Sequence, residues 1–252
     1  MAQLQRLVIA AAQQQERVIF LTDAQQHYLS RVLRLGNGDR FIAMDGRGSW
    51  WLSELEASLT QAKIIESLSV NTELLVTVTL MAAMPKGSGF DEVVYQATEL
   101  GVAGIMPLKS DRTLLNPSPQ KLERWRRLAQ EAAEQSERQV VPTILDPVDL
   151  ATSLQLPETL NAHRYICVAR GDAPHLLTCL LDKKLQLVSS QPAPPHPPSL
   201  VIATGPEGGW TAAEVEQATA AGFQRVSLGR RILRAVTAPI VALSLVASVL
   251  EG

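Results

Sequence analysis

The sequence predicts an α/β protein: a mainly parallel sheet covered by helices, preceded by a small β-barrel. Three observations carry this. From Asn71 onward, apolar β-branched runs alternate with amphipathic runs, as strands and helices do when helices cover both faces of a parallel sheet. Before that point, short strand-like runs follow one another closely with turn residues between them, which suits a small barrel. Near the C-terminus two strand–loop–helix units carry sharp loops where the strand ends, the place at which α/β sheets hold ligands. The division is read as 1–70 for the barrel and 71–252 for the sheet domain.

The elements follow in order. Residues 17–21 read as a strand. Residues 22–33 read as a short helix, with Thr22 or Asp23 as cap and Tyr28, Val32 and Leu33 at helical spacing. Gly36-Asn37-Gly38-Asp39 is turn chemistry. Residues 40–44 and 49–55 are strands around the Asp45-Gly46-Arg47-Gly48 hairpin turn, and 62–67 is a further strand. Residues 74–83 form a long apolar strand, and Pro85-Lys86-Gly87-Ser88-Gly89 is a loop. Residues 90–100 form an amphipathic helix, with Gly101 at the position that favours a left-handed residue. Residues 105–108 are a strand, 119–137 a polar-faced helix, 164–169 a strand and 174–182 a helix. The Pro-rich stretch 191–198 excludes helix and central strand, so it is a stiff surface loop or linker.

Bulk properties limit the function. The 252 residues are 46% hydrophobic, ample for a core, and the net charge is −2. Nothing in that balance announces nucleic acid, so RNA binding has to rest on local arginine clusters. The two cysteines, Cys167 and Cys179, do not form a CxxC or a disulfide framework. The four histidines are scattered without metal-ligand spacing. There is no secretory leader pattern and no apolar run long enough for a membrane helix, so no metal, no membrane and a cytoplasmic setting are expected.

The chemistry concentrates in two loops. Gly205-Pro206-Glu207-Gly208-Gly209-Trp210 leaves little side chain between backbone and ligand, and Thr211 with Glu214 forms a capping box that starts a helix at once. The loop matches neither the dinucleotide nor the P-loop pattern, and Glu207 disfavours a phosphate. A neutral or cationic ligand, such as a sulfonium or nucleoside, suits it, and so does a purely structural turn. The second loop, Leu228-Gly229-Arg230-Arg231-Ile232-Leu233-Arg234, presents guanidiniums that suit phosphate or an RNA backbone, or simply solvent. The run 238–250 after it is apolar on nearly every face, which implies burial or a subunit interface.

Together these loops resemble the RsmE family of ribosomal RNA small-subunit methyltransferases, of the SPOUT class. The resemblance covers most of the chain. It continues through Pro85-Lys86-Gly87 with Asp91, Gln96-Ala97-Thr98-Glu99-Leu100-Gly101-Val102 and Ser110-Asp111-Arg112-Thr113. Glu131-Ala132-Ala133-Glu134-Gln135-Ser136 with Arg138 and Val141-Pro142 matches too, as do His27-Tyr28-Leu29, Val32-Leu33-Arg34 and Gly38-Asp39. Three departures stand out: Val236 replaces a carboxylate, Ala97 stands where Lys is usual, and Gln5-Arg6-Leu7-Val8 replaces an Arg-Phe-Phe start.

The resemblance implies a parallel sheet with a C-terminal trefoil knot, a PUA-like N-terminal barrel that helps hold RNA, and a homodimer with its site at the interface. It implies S-adenosylmethionine as cofactor and methylation of N3 of a uridine in 16S RNA of the small ribosomal subunit. Carried onto this chain, the cofactor residues are Thr204, Gly205, Glu207, Gly208, Leu228, Gly229, Ile232 and Leu233, helped by a loop near residues 168–172. Arg234 and Arg112 are the catalytic candidates, because cationic donors best stabilise the uracil anion that develops at N3. Arg6, Arg31, Arg34, Lys86 and Arg231 are the RNA-contact candidates. Asp91 and Glu99 are open as general bases or as solvated helix carboxylates. Two alternatives stay in view: a knotted RNA-binding protein without turnover, and a phosphate-ligand enzyme, which Glu207 disfavours.

Overall fold

The computed structural model describes residues 4–113, 115–160, 162–188 and 198–252, with side chains of 184–188 left aside. Most of the Pro-rich stretch, 191–197, lies outside the described residues. The chain divides into two compact units: residues 1–73 with 130–141, and residues 74–129 with 142–252. No helix among the described residues is long and apolar enough to cross a membrane.

The first unit is a curled, mostly antiparallel sheet. Strands β1 (Arg6–Val8), β2 (Gln14–Gln15), β3 (Val18–Phe20), β4 (Arg40–Met44), β5 (Trp50–Leu55) and β6 (Gln61–Leu68) lie in the order β1-β4-β5-β6-β3-β2. Only β1 and β4 run parallel. Alternation along the strands builds two clusters. Phe41, Ala43, Ile19, Leu55, Ala62 and Ile64 fill one, while Ile42, Met44 and Trp50 fill another with Val8 and Val141.

Helix α1 (Asp23–His27) starts with a reciprocal cap: Thr22 Oγ1 accepts from the Gln25 amide at 3.3 Å, and Gln25 Oε1 accepts from the Thr22 amide at 2.9 Å. It widens into a π-turn, Tyr28–Val32, closed by the Leu33 amide on the Tyr28 carbonyl at 3.0 Å. Arg34 then takes φ 60°, so that the Leu35 amide reaches the Leu29 carbonyl at 2.9 Å. That left-handed turn costs a non-glycine residue about 1–2 kcal/mol. Residues 130–141 complete the unit. The Val8 amide donates to Glu134 Oε1 at 2.8 Å, and the buried Arg138 pairs with Glu73, whose other oxygen accepts from the Val140 amide at 3.1 Å.

The second unit is an α/β sheet in which every pairing is parallel. Its strands are β7 (Thr77–Ala83), β8 (Gly104–Lys109), β9 (Thr143–Ile144), β10 (Val148–Asp149), β11 (His163–Cys167), β12 (Ser199–Thr204) and β13 (Gln224–Val226). They lie in the order β10-β8-β7-β12-β11-β13, with β9 also against β8. The helices are α2 (Gly89–Glu99), α3 (Pro119–Gln135, whose last turn belongs to the first unit), α4 (Leu150–Ser153), α5 (Pro157–Leu160), α6 (Leu176–Val188), α7 (Ala212–Ala220) and α8 (Thr237–Glu251).

Strand β12 lies between β7 and β11, and Leu200, Val201, Ile202 and Ala203 are all fully buried. A strand covered on both faces reads as a continuous apolar run, and each large side chain there contributes about 1.5–3 kcal/mol. Helix α2 ends as its sequence foretells, at Gly101 with φ +86°. Phe90 packs on Trp125 of α3 with ring centroids 4.5 Å apart, and Asp91 accepts from Trp125 Nε1 at 2.8 Å and Arg124 Nε at 2.9 Å. Asp91 is thus a helix–helix tie. Ala97 is fully buried. Helix α8 buries Ala242, Leu243, Val246 and Val249, and leaves Ile240, Val241 and Leu245 half-exposed.

Burial raises the Glu134 carboxyl above its ordinary value of 4.5, against the Val8 and Gln130 hydrogen bonds that lower it. The charged form is therefore disfavoured in the folded state. Its contribution to stability is complete below the ordinary value and is lost as pH rises through the raised one. Glu134→Gln, which keeps the acceptor for Val8, should gain stability relative to the native chain more at pH 7 than at pH 5. Chemical denaturation at the two pH values checks this, and an equal difference at both would contradict it.

Candidate active site

Three neighbouring strands, β12, β11 and β13, run parallel and end at the same edge of the sheet. The loops that leave them are 168–175, 205–211 and 227–236, and they enclose a cleft of about 540 Å³ open to solvent. Its walls are Cys167, Val168 and Ala169 from the first loop and Gly205, Pro206, Gly209 and Trp210 from the second. Leu228, Gly229, Arg231 and Leu233 come from the third, followed by Ala235 and Ala238.

Local contacts hold each loop. Trp210 Nε1 donates to the Cys167 carbonyl at 3.1 Å, tying the second loop to the end of β11. The indole lies so close to Gly205 that a Cβ there would stand 3.1 Å from Trp210 Cε2. Gly209 and Gly229 take φ +69° and +113°, a region that disfavours side chains. The Ser227 hydroxyl accepts from the Gly229 amide at 3.1 Å and so closes the third turn. Thr211 caps α7, where Glu214 Oε2 accepts from the Thr211 amide at 2.8 Å and Oε1 from the Asp111 amide at 3.0 Å. The capping box therefore also fastens the loop after β8.

The expected site residues separate into groups. Gly205, Leu228, Gly229 and Leu233 line the cleft, and Arg231 joins them. Thr204 ends β12, fully buried, and its hydroxyl has no hydrogen-bond partner among the described residues. Glu207 and Gly208 do not line the cleft. Glu207 Oε1 accepts from the Lys86 amide at 3.0 Å and so orders the loop before α2, and the Gly208 carbonyl accepts from Arg112 Nη1 at 2.5 Å. In the third loop Arg231, Leu233 and Ala235 line the cleft, while Ile232, 67% exposed, and Arg234, also exposed, do not.

The Arg6 side chain, 10% exposed, pairs with Glu137 at 2.7 Å and lies 5.2 Å from the centre of the Trp50 ring, so little of it is open to solvent. Arg31, Arg34 and the Lys86 side chain are exposed. Glu99 sits at the end of α2 that leads back to the start of β8, the opposite edge of the sheet from the cleft. Val236 stands just before α8, against Gly89 of α2, where an added Cβ would meet Val236 Cγ2 at 2.9 Å. The sequence reading missed Trp210 as a wall and Cys167, Ala235 and Ala238 as lining. A lone aromatic closing a Gly-Gly turn is the signal that would have found Trp210.

The cleft suits an adenosyl sulfonium. Its walls offer apolar side chains, loop backbone and glycine surfaces against which a ligand lies close. The unpartnered Thr204 hydroxyl adds a polar group where the loop begins. Among the described residues no group of three or more His, Cys, Asp or Glu could hold a metal ion. Burial pushes the Cys167 thiol up to about 12, so it is protonated and unsuited to nucleophilic attack.

The chain matches the model of an RNA methyltransferase domain over residues 72–247 and of an RNA methyltransferase PUA domain over residues 21–66. It is 47% identical over 251 residues to ribosomal RNA small subunit methyltransferase E of Synechocystis sp., covering 98% of this chain and 78% of that protein. The Bacillus subtilis protein of the same name is 33% identical over 252 residues, with 96% and 95% covered. The crystal structure of a ribosomal RNA small subunit methyltransferase E from Neisseria gonorrhoeae bound to S-adenosyl methionine superposes with a TM-score of 0.81 at 27% identity, covering 98% of each chain. With a domain match along the whole second unit and close identity from end to end, the chain belongs to the ribosomal RNA small subunit methyltransferase E family.

Proposed function

We propose that this protein transfers a methyl group from S-adenosylmethionine to N3 of a uridine in the 16S RNA of the small ribosomal subunit. One observation carries the reading: three loops from adjacent parallel strands close a glycine-walled cleft, in a chain of this family. The relatives' name supports the ribosomal substrate, and the Neisseria structure supports the cofactor. Such a substrate sits in the cytoplasm. The N3 position rests on the resemblance of the loop motifs.

S-adenosylmethionine, when bound, supplies a methyl group on a cationic sulfur. The residues of the chain do the rest by positioning and electrostatics. Gly205, Gly229, Leu228 and Leu233 hold the cofactor against the strand ends, with Thr204 behind them. Orientation of this kind is worth up to roughly 7–11 kcal/mol in favourable cases. Arg112 and Arg234 are assigned to stabilise the charge that develops on the uracil ring. Arg112 is held beside the second loop by the Gly208 carbonyl, and Arg234 lies between two cleft-lining residues. Among the described residues no carboxylate lines the cleft. Arg31, Arg34, Lys86 and Arg231 are assigned to the RNA backbone.

The chain path is proposed to be knotted at its C-terminus, which the insertion of β12 between β7 and β11 supports. Residues 1–70 are assigned as the RNA-holding barrel and 71–252 as the catalytic domain. A homodimer is proposed with the site at its interface, supported by exposed Ile232 and the half-exposed face of α8.

Incubating the protein with labelled S-adenosylmethionine and under-methylated small subunits should give 3-methyluridine, identified by mass of the released nucleoside. A methyl on another base, or none, would overturn the assignment. Glu207 separates loop order from cofactor contact. Glu207→Gln, which keeps an acceptor for Lys86, should transfer at close to the native rate, whereas Glu207→Ala should fall about tenfold. Equal loss in both variants would assign the carboxylate charge a direct role.

A further inference from the structure

We infer that a second cavity beside the cleft is a binding site for RNA backbone phosphate, gripped by Arg170 and Arg225, with Arg112, the candidate that meets the uracil ring, also in its lining. The inference rests on the methyltransferase function proposed above and names where the acceptor strand is gripped. The cavity holds about 1190 Å³ of solvent-open space and shares Val168, Ala169, Gly209 and Trp210 with the cofactor cleft. The two spaces thus share a wall.

Its three guanidiniums come from separate places: Arg112 from the loop after β8, Arg170 from the loop after β11 and Arg225 from β13. The fold, rather than a run of basic sequence, gathers them. Arg112 is set in place: its Nη1 donates to the Gly208 carbonyl at 2.5 Å. Arg225 reaches over Gly171, φ +91°, where an added Cβ would lie 2.9 Å from Arg225 Nη2.

None of the three forms an ion pair among the described residues, whereas Arg124 and Arg126 of the same unit each contact a carboxylate. Glu216 is the single carboxylate in the lining, so the cavity keeps a formal surplus of two positive charges. Gathering like charges without partners disfavours folding, and a polyanion relieves it. Planar forked donors match phosphate oxygens. A surplus of two suits two phosphates of a strand whose target nucleotide enters the adjoining cleft. The cofactor also carries one carboxylate, but that group needs only one guanidinium and no open cavity of this size.

The test uses the whole protein, with Arg170→Gln and Arg225→Gln made singly and together. Affinity for under-methylated small ribosomal subunits is measured across a potassium chloride series, and S-adenosylmethionine affinity by calorimetry. Each single change should weaken subunit binding about tenfold and flatten the slope of log affinity against log salt by about 0.7–0.9, and the double change by about twice that. Cofactor affinity should not move, which also shows that the variants are folded. Arg170→Lys should restore the slope, because it restores the charge. Unchanged subunit affinity and slope would overturn the inference. Loss of cofactor affinity with subunit binding intact would overturn it too, by assigning the guanidiniums to the cofactor's carboxylate. If the native protein binds subunits but transfers no methyl, while the variants still lose slope, the phosphate site stands and the proposed activity falls.

Discussion

The site depends on where β12 lies. Threaded between β7 and β11 and buried on both faces, it brings its own C-terminal end level with those of β11 and β13. Three loops then leave one edge of the sheet side by side. Were β12 not beside β11, Gly205 and Trp210 could not face Val168 and Leu228, and the cleft would not close. The force that fixes the strand is apolar burial: Leu200 to Ala203 are without contact to water, and a register slip would break both parallel ladders.

Once the strand ends are set, the loops are held by a few polar contacts between segments distant in sequence. Trp210 reaches the Cys167 carbonyl, Glu207 reaches the Lys86 amide, and Glu214 joins the α7 cap to the Asp111 amide. Each uses a side chain to satisfy a backbone group that a tight loop would otherwise leave bare. The cleft itself is therefore left to glycine surfaces, loop backbone and apolar walls. Cationic side chains are set around it rather than in it, apart from Arg231. That division suits a reaction in which the cofactor is gripped by shape and the acceptor by charge.

Much of this was legible in the sequence, and for local reasons. A cap at Thr22 or Asp23, the capping box at Thr211, the left-handed Gly101, strand 40–44 and the apolar run of α8 are all short-range signals. Both ligand loops announced themselves through glycine content, and four of the eight cofactor candidates line the cleft. What was not legible is non-local or too short to be periodic. The return of residues 130–141 to the first unit depends on Glu134 and Arg138 meeting Val8 and Glu73 across more than sixty residues. Arg6 looked like a surface cation, but β1 pairs with β4 and turns it onto Trp50. Ile232 is exposed beside a cleft-lining neighbour, which loop composition does not reveal. Strands β9 and β10, two residues each, carry no pattern at all.

The most direct measurement is calorimetric titration of S-adenosylmethionine into the native protein and into Gly205→Val, in buffer without magnesium. A valine at 205 would drive its side chain into Trp210 and the cleft wall. The native chain should bind the cofactor without metal, and the variant, with its circular dichroism unchanged, should lose most of that affinity. Equal affinity in a folded variant would mean that the cofactor sits elsewhere, and that the three-loop cleft is not the active site.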